Sequence, residues 1–285
     1  MHMNANLRLL TGETMLSLYP ILVKLVPVSL LTLTQNRLLS TAIVGYFFMS
    51  LPLSEYISNI RYHLISSLYL CHIYASYIGF RNLDVGVSLT LFYTYPLINL
   101  VFKSFDPEAP PVKYDVIPYF MMCLVGVALI SYGQQVTNNG TVSIGLIAIA
   151  ISAISESLIY TFYKREKSPE KRQMTPFDML FSLSFFGFVV SLFFGTNLGT
   201  FRWDRSNILF IATINIVLGV IGYALRFSTI HEMSVEWYSV MAFTQVIIGY
   251  LLGWSIMSDK ITMNKVFGSI LILYSVNMIR RLGYK

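Results

Sequence analysis

Apolar runs about twenty residues long follow one another along the chain, each closed by a few polar positions. Residues 74–102, YASYIGFRNLDVGVSLTLFYTYPLINLVF, show the pattern: apolar at both ends, interrupted by Arg81, Asn82 and Asp84, and carrying Pro96. A hydrocarbon core about 30 Å thick takes roughly 20 apolar residues per helix. In lipid every backbone N–H and C=O must be paired internally, so a polar turn belongs at the interface. This run therefore predicts a helical hairpin with its turn near residue 82. The same reading predicts about ten spans, at residues 7–26, 29–51, 62–80, 85–102, 114–132, 144–163, 176–194, 207–230, 235–257 and 263–282. Connections are short, as at Pro27 and Val28, 82–84 and 259–262. The first span is the least regular, because Glu13 and Lys24 fall inside it. No small-x-small pattern precedes the next span, so a cleaved leader is not expected.

Composition says which solvent these runs meet. Hydrophobic residues make up 55% of the 285, charged residues 12%, and mean hydropathy is +0.63. A soluble domain of this length needs a larger charged surface than that supplies, so most of the surface faces lipid. Lys and Arg concentrate on segments that share a side: Arg8, Arg61, Lys103, the run KREKSPEKR at 164–172, and the tail with Arg280 and Arg281. By the positive-inside rule both termini are cytoplasmic. The pI of about 9.2 reflects this bias rather than a nucleic-acid patch, and the basic run reads as a loop against anionic headgroups. The sequon at Asn139 to Thr141 is expected on the opposite face.

The chain also repeats itself. Residues 77–98, YIGFRNLDVGVSLTLFYTYPLI, align without a gap on residues 227–248, FSTIHEMSVEWYSVMAFTQVII, and GVALI at 126–130 echoes GSILI at 268–272. Five spans per half is an odd number, so the second copy enters the membrane inverted. The expected fold is an all-α polytopic membrane protein of two inverted five-helix repeats, residues 1–135 and 136–285, an architecture that places a binding site at the repeat interface.

The order of features resembles the EamA-like family of the drug/metabolite transporter superfamily. These features are PILVKL at 20–25, TQNRLLS with Arg37, the aromatic third span leading through YIGFRNLDVGVSLTLFYTYPLI, and GVALI. The likeness runs from about Thr11 to Arg281. It implies a central pocket and alternating-access transport of small metabolites. Two positions depart from the family pattern: Val246 stands at the counterpart of Pro96, and Ser258 and Asp259 replace a Gly-Glu pair.

Other chemistries lack their residues. His231 and Glu232 begin a zinc-protease motif without its second His, and no phosphate-binding glycine loop or nucleophile elbow occurs. Cys71 and Cys123 lie in separate spans. No enzyme activity, cofactor, metal or nucleic-acid partner is expected. His63 and His72 read as packing residues. Gly249 and Gly253 form a GxxxG that serves either packing within the bundle or a homodimer.

The candidate chemistry is the polar inventory inside the spans. Glu156 and Arg226 fall deep in spans six and eight, and read equally as a structural ion pair or as substrate and coupling groups. Lys24 and Arg37 lie nearer span ends, where they can snorkel to headgroups; with Gln245 they form a second set, substrate-binding or structural. Tyr74, Tyr77, Tyr93, Tyr95 and Tyr160 supply hydroxyls and ring faces, with Tyr77, Tyr93 and Tyr160 the expected substrate contacts. The function this supports is transport of a small metabolite such as an amino acid; the alternative is a membrane scaffold that keeps the fold without transport.

Overall fold

The computed structural model describes residues 4–26, 28–83, 85–105, 114–131, 141–165, 174–195, 205–258 and 261–282, which are helical with no strand. The elements are α1 (Ala5–Leu16), α2 (Tyr19–Leu25), α3 (Leu30–Phe48), α4 (Leu53–Ser58), α5 (Ile60–Asn82), α6 (Val85–Phe92) and α7 (Tyr95–Ser104). After these come α8 (Ile117–Ser131), α9 (Thr141–Arg165), α10 (Pro176–Leu192), α11 (Arg205–Ile214), α12 (Gly222–Phe227), α13 (Val235–Met257) and α14 (Met263–Arg281). The sequon at Asn139, residues 166–172 of the basic run, and the turn residues Pro27 and Asp84 lie outside the described residues.

The hairpin expected near residue 82 forms: α5 ends at Asn82 and α6 begins at Val85. Two expected spans prove to be pairs of helices. The first breaks at Ser17 and Leu18, ahead of Tyr19 and Pro20; the fourth breaks at Tyr93 and Thr94, ahead of Tyr95 and Pro96. Proline donates no backbone hydrogen bond and crowds the carbonyl four residues back, so it starts a helix better than it continues one. The eighth span is continuous but widens at residues 215–221 into a π-helical stretch between α11 and α12. There Tyr19 explains Gly219: a Cβ at that position would come within 2.4 Å of the Tyr19 hydroxyl. Among the described residues two helices are by themselves long and apolar enough to cross a bilayer, at 143–165 and 207–227. Large apolar side chains stand outward around the bundle, including Phe47, Phe193, Phe194, Trp254 and Phe267, more than a water-facing surface carries.

Packing joins the two ends of the chain. α3 lies on α10, α5 on α9 and α10, α1 on α12 and α13, α6 and α7 on α13, and α8 on α14. Close approach of α1 to α12 depends on Gly12, whose added Cβ would meet Gly222 O at 2.6 Å. A polar lock ties the α3–α4 turn to the start of α10. There Asp178 accepts from Ser50 N and Oγ, Leu51 N, Tyr56 Oη, and Thr175 N and Oγ1, all at 2.7–3.0 Å. Thr175 in turn caps α10 by accepting from Asp178 N. We expect Asp178→Ala to lower unfolding free energy by about 3 kcal/mol, because it strands several buried donors at once; thermal melting in detergent measures this.

α13 ends on Ser258, whose φ of 60° and ψ of 28° are left-handed. This is the position where the resemblance leads one to expect glycine, and the backbone adopts the conformation glycine favours. A non-glycine residue there costs roughly 1–2 kcal/mol, offset in part by glycine's greater loss of chain entropy. Ser258→Gly is therefore expected to stabilise the protein by up to about 1 kcal/mol, seen as a higher melting temperature.

Candidate functional site

Four helices bring charge to the centre of the bundle. Arg226 of α12 lies with Nε 3.0 Å from Glu13 Oε1 of α1 and Nη2 2.6 Å from Glu156 Oε1 of α9. Its Nε also donates to the Tyr238 hydroxyl at 2.6 Å. The second oxygen of Glu156 is 3.3 Å from His72 Nε2 of α5, whose Nδ1 sits 3.1 Å from Ser152 O. Each of these four charged or ionisable side chains is at most 3% exposed. A lone arginine at mid-bilayer costs roughly 2.5–3.5 kcal/mol on insertion scales, so an isolated Arg226 would be unfavourable here. Two carboxylates and the faces of Tyr95, Tyr223 and Tyr238, 5.2–5.9 Å from its guanidinium carbon, offset that cost. The group thus sets two carboxyl groups against one guanidinium.

The helix breaks place the polar neighbours. Ser17, in the turn between α1 and α2, donates to Gln245 Oε1 at 3.0 Å, and Tyr93, in the turn between α6 and α7, donates to Glu13 Oε2 at 3.3 Å. A cavity of about 30 Å³ opens against Glu13, Arg226, His72, Tyr93, Tyr19 and Arg37. That is room for one or two water molecules. A second cavity, about 20 Å³, lies beyond Tyr19 toward Val23, Val26 and Asn215, and Tyr19 lines both. On the other side the Tyr160 ring packs 4.6 Å from Tyr238, and the Tyr160 hydroxyl and both side-chain polar atoms of Asn99 have no hydrogen-bond partner among the described residues. That end is held by Arg8 with Glu232, by Lys103 with Glu236, and by Lys164 Nζ donating to Ile230 O and Met233 O.

The structure thus gathers Glu156, Arg226, Tyr93, Tyr160 and Gln245 around one centre, and sets Tyr77 beside Arg37. The other candidates fall as follows. Arg37 does not snorkel: it is 4% exposed in the middle of α3, with Nη1 donating to Tyr77 Oη at 3.3 Å. Lys24 lies half-buried in the last turn of α2, away from the cavity, where a cation suits the helix dipole. Tyr74 is 40% exposed and faces out of the bundle. Gly249 is used inside the chain, since an added Cβ would meet Leu89 of α6 at 2.2 Å. Sequence reasoning missed Glu13 and His72 as members of the site. The sequence carries a signal for Glu13, a carboxylate inside an apolar run.

Residues 143–281 match the family model of the EamA-like transporter family. The second half of this chain is thus similar to the EamA-like transporter family. One solved crystal structure aligns over 95% of this chain and 96% of its own length, with a TM-score of 0.69 at 15% identity. At that identity the likeness shows the fold alone. No curated protein matches the sequence. The EamA-like family to which residues 143–281 are similar is one of polytopic membrane proteins whose members transport small solutes, and the apolar helices of this chain are consistent with that.

Arg226→Gln leaves two buried carboxylates facing each other and is expected to destabilise the protein by about 3–5 kcal/mol. Adding Glu156→Gln should recover only part of this, because Glu13 stays charged. The triple variant with Glu13→Gln should recover most, and melting temperatures of the three proteins order them.

Proposed function

We propose that this EamA-like protein carries a small polar metabolite, amino-acid-like in its charge, across its membrane by alternating access between two inverted five-span repeats, 1–135 and 136–285. One observation carries the reading: a buried centre holds two carboxyl groups, a histidine and two arginines, drawn from α1, α3, α5, α9 and α12, in a bundle whose outer face is apolar. Ionisable side chains inside membrane spans are rare and mark substrate or ion pathways.

The helix packing supports the repeat. Matching the first five spans to the last five pairs the α5–α9 contact with that of α12 on α1, and the contact of α6 and α7 on α9 with that of α13 on α1. It also pairs α6–α8 with α13–α14, and makes the α3–α10, α8–α14 and α7–α13 contacts self-matching. The basic residues support cytoplasmic termini, and the end with Arg8, Lys103 and Lys164 is then the cytoplasmic one. In this arrangement both sides are closed: ion pairs seal the cytoplasmic end, and Tyr19 separates the centre from the opposite side. The scaffold reading draws on the cavity, which at about 30 Å³ is far smaller than an amino acid. An occluded transporter has the same small cavity, so flux decides between them.

Reconstituted wild-type protein should exchange radiolabelled substrate from a panel of amino acids and other small metabolites. The triple variant Glu13→Gln, Glu156→Gln, Arg226→Gln should fold and exchange none. Flux by the folded triple variant at the native rate would contradict the proposal, as would absence of flux by the wild type for every class in the panel. For topology, single cysteines at positions 139 and 168 should label from opposite faces in intact cells; equal labelling would contradict ten spans with both ends inside.

A further inference from the structure

Arg37 differs from Arg226 in one respect that bears on recognition. Arg226 is held between two carboxylates; Arg37, equally buried and on the same cavity, has no carboxylate within ion-pair distance among the described residues. Its neighbours are tyrosines. The guanidinium carbon stands 4.0 Å from the centroid of Tyr19, 5.3 Å from Tyr223 and 5.8 Å from Tyr77. Ring faces attract the flat face of a guanidinium, but they take none of the five N–H bonds that lie in its plane. Of these, Nη1 donates to Tyr77 Oη at 3.3 Å, and Nε has no acceptor among the described residues.

We infer that Arg37 is the site of the transported solute's carboxylate group, with its in-plane N–H edge taking the two oxygens as a fork. This inference rests on the transport reading above. The groups across the cavity point the same way: the guanidinium of Arg37 faces a cluster in which two carboxyl groups share the one guanidinium of Arg226. A zwitterion lying between them would set its ammonium toward the carboxylates and its carboxylate toward Arg37. A dianion such as phosphate would overcompensate a single guanidinium, so a carboxylate fits better. With room for only one or two waters, binding requires a ring to move aside. Tyr19 is the ring placed to do so: it lines both cavities and starts α2 directly after the break, hydrogen-bonded to Asn215 Oδ1 at 3.2 Å.

The test uses the purified full-length protein at constant ionic strength, with melting temperature followed against concentration of ligand. The probes are glycine, L-alanine, L-leucine and L-phenylalanine, each beside its amide, with acetate and inorganic phosphate as bare anions. A charge-assisted pair predicts that at least one acid binds roughly tenfold or more tightly than its amide. In Arg37→Gln that ratio should fall to about one. Arg37→Lys keeps the buried charge and serves where Arg37→Gln does not purify; the acid should bind it several-fold more weakly than wild type, through loss of the planar fork. The inference is overturned if Arg37→Gln keeps the acid preference, if Arg37→Lys binds the acid as wild type does, if no carboxylate stabilises the wild type, or if phosphate alone gives the Arg37-dependent response. Failure of the transport reading shows elsewhere: flux of an uncharged solute that depends on Glu13, Glu156 and Arg226 would keep transport and remove only the role of Arg37.

Discussion

A guanidinium away from water needs partners, and Arg226 finds carboxyl groups on two helices far apart in sequence. Glu13 of α1 and Glu156 of α9 close on it from either side, and that pairing sets where α1, α9 and α12 can meet. Hydrophobic association contributes little between helices already in hydrocarbon, so close packing and buried polar contacts hold such a bundle together. Here both act at the same place. Gly12 lets α1 approach the backbone of α12 one residue from Glu13, and the ion pair then draws on that proximity.

The breaks in the helices follow from the same centre. Ending α1 at Leu16 and restarting at Tyr19 places the Ser17 hydroxyl 3.0 Å from Gln245 Oε1 and sets Tyr19 against Arg37. The break between α6 and α7 does the same for Tyr93 and Glu13. The π-helical stretch before α12 gives Tyr19 its place against Gly219, and widened turns of this kind recur at functional sites. Local irregularity, set by Pro20, Pro96 and Gly219, thus puts side chains into the centre that straight helices would turn elsewhere.

Much of this was legible in the sequence, for a plain physical reason. Burying charge in lipid is unfavourable enough that Glu156 and Arg226 stand out in any apolar run, and the polar turn at residue 82 could not lie within hydrocarbon. What the sequence does not carry is the face each residue presents. Helices surrounded by lipid and by one another are apolar on both sides, so no amphipathic period tells Tyr77, which is buried, from Tyr74, which is not. Depth along a span misled for Arg37, because nearness to a span end suggests escape to headgroups when the partners are π faces on three other helices. His72 carries no formal charge at neutral pH, so hydropathy gave no reason to expect it 3.3 Å from Glu156.

The central claim is that the charged centre is a pocket opened in turn to each side of the membrane. Accessibility measures that directly. Ser76 lines the cavity and is 3% exposed, so Ser76→Cys places a small reporter there, in a background with Cys71 and Cys123 changed to serine. Membrane-impermeant thiol reagents applied separately to right-side-out and inside-out vesicles should label it from both faces, with labelling from either face slowed by a bound substrate. Labelling from neither face, under conditions where exposed loop cysteines react fully, would mean a permanently closed core and contradict the account.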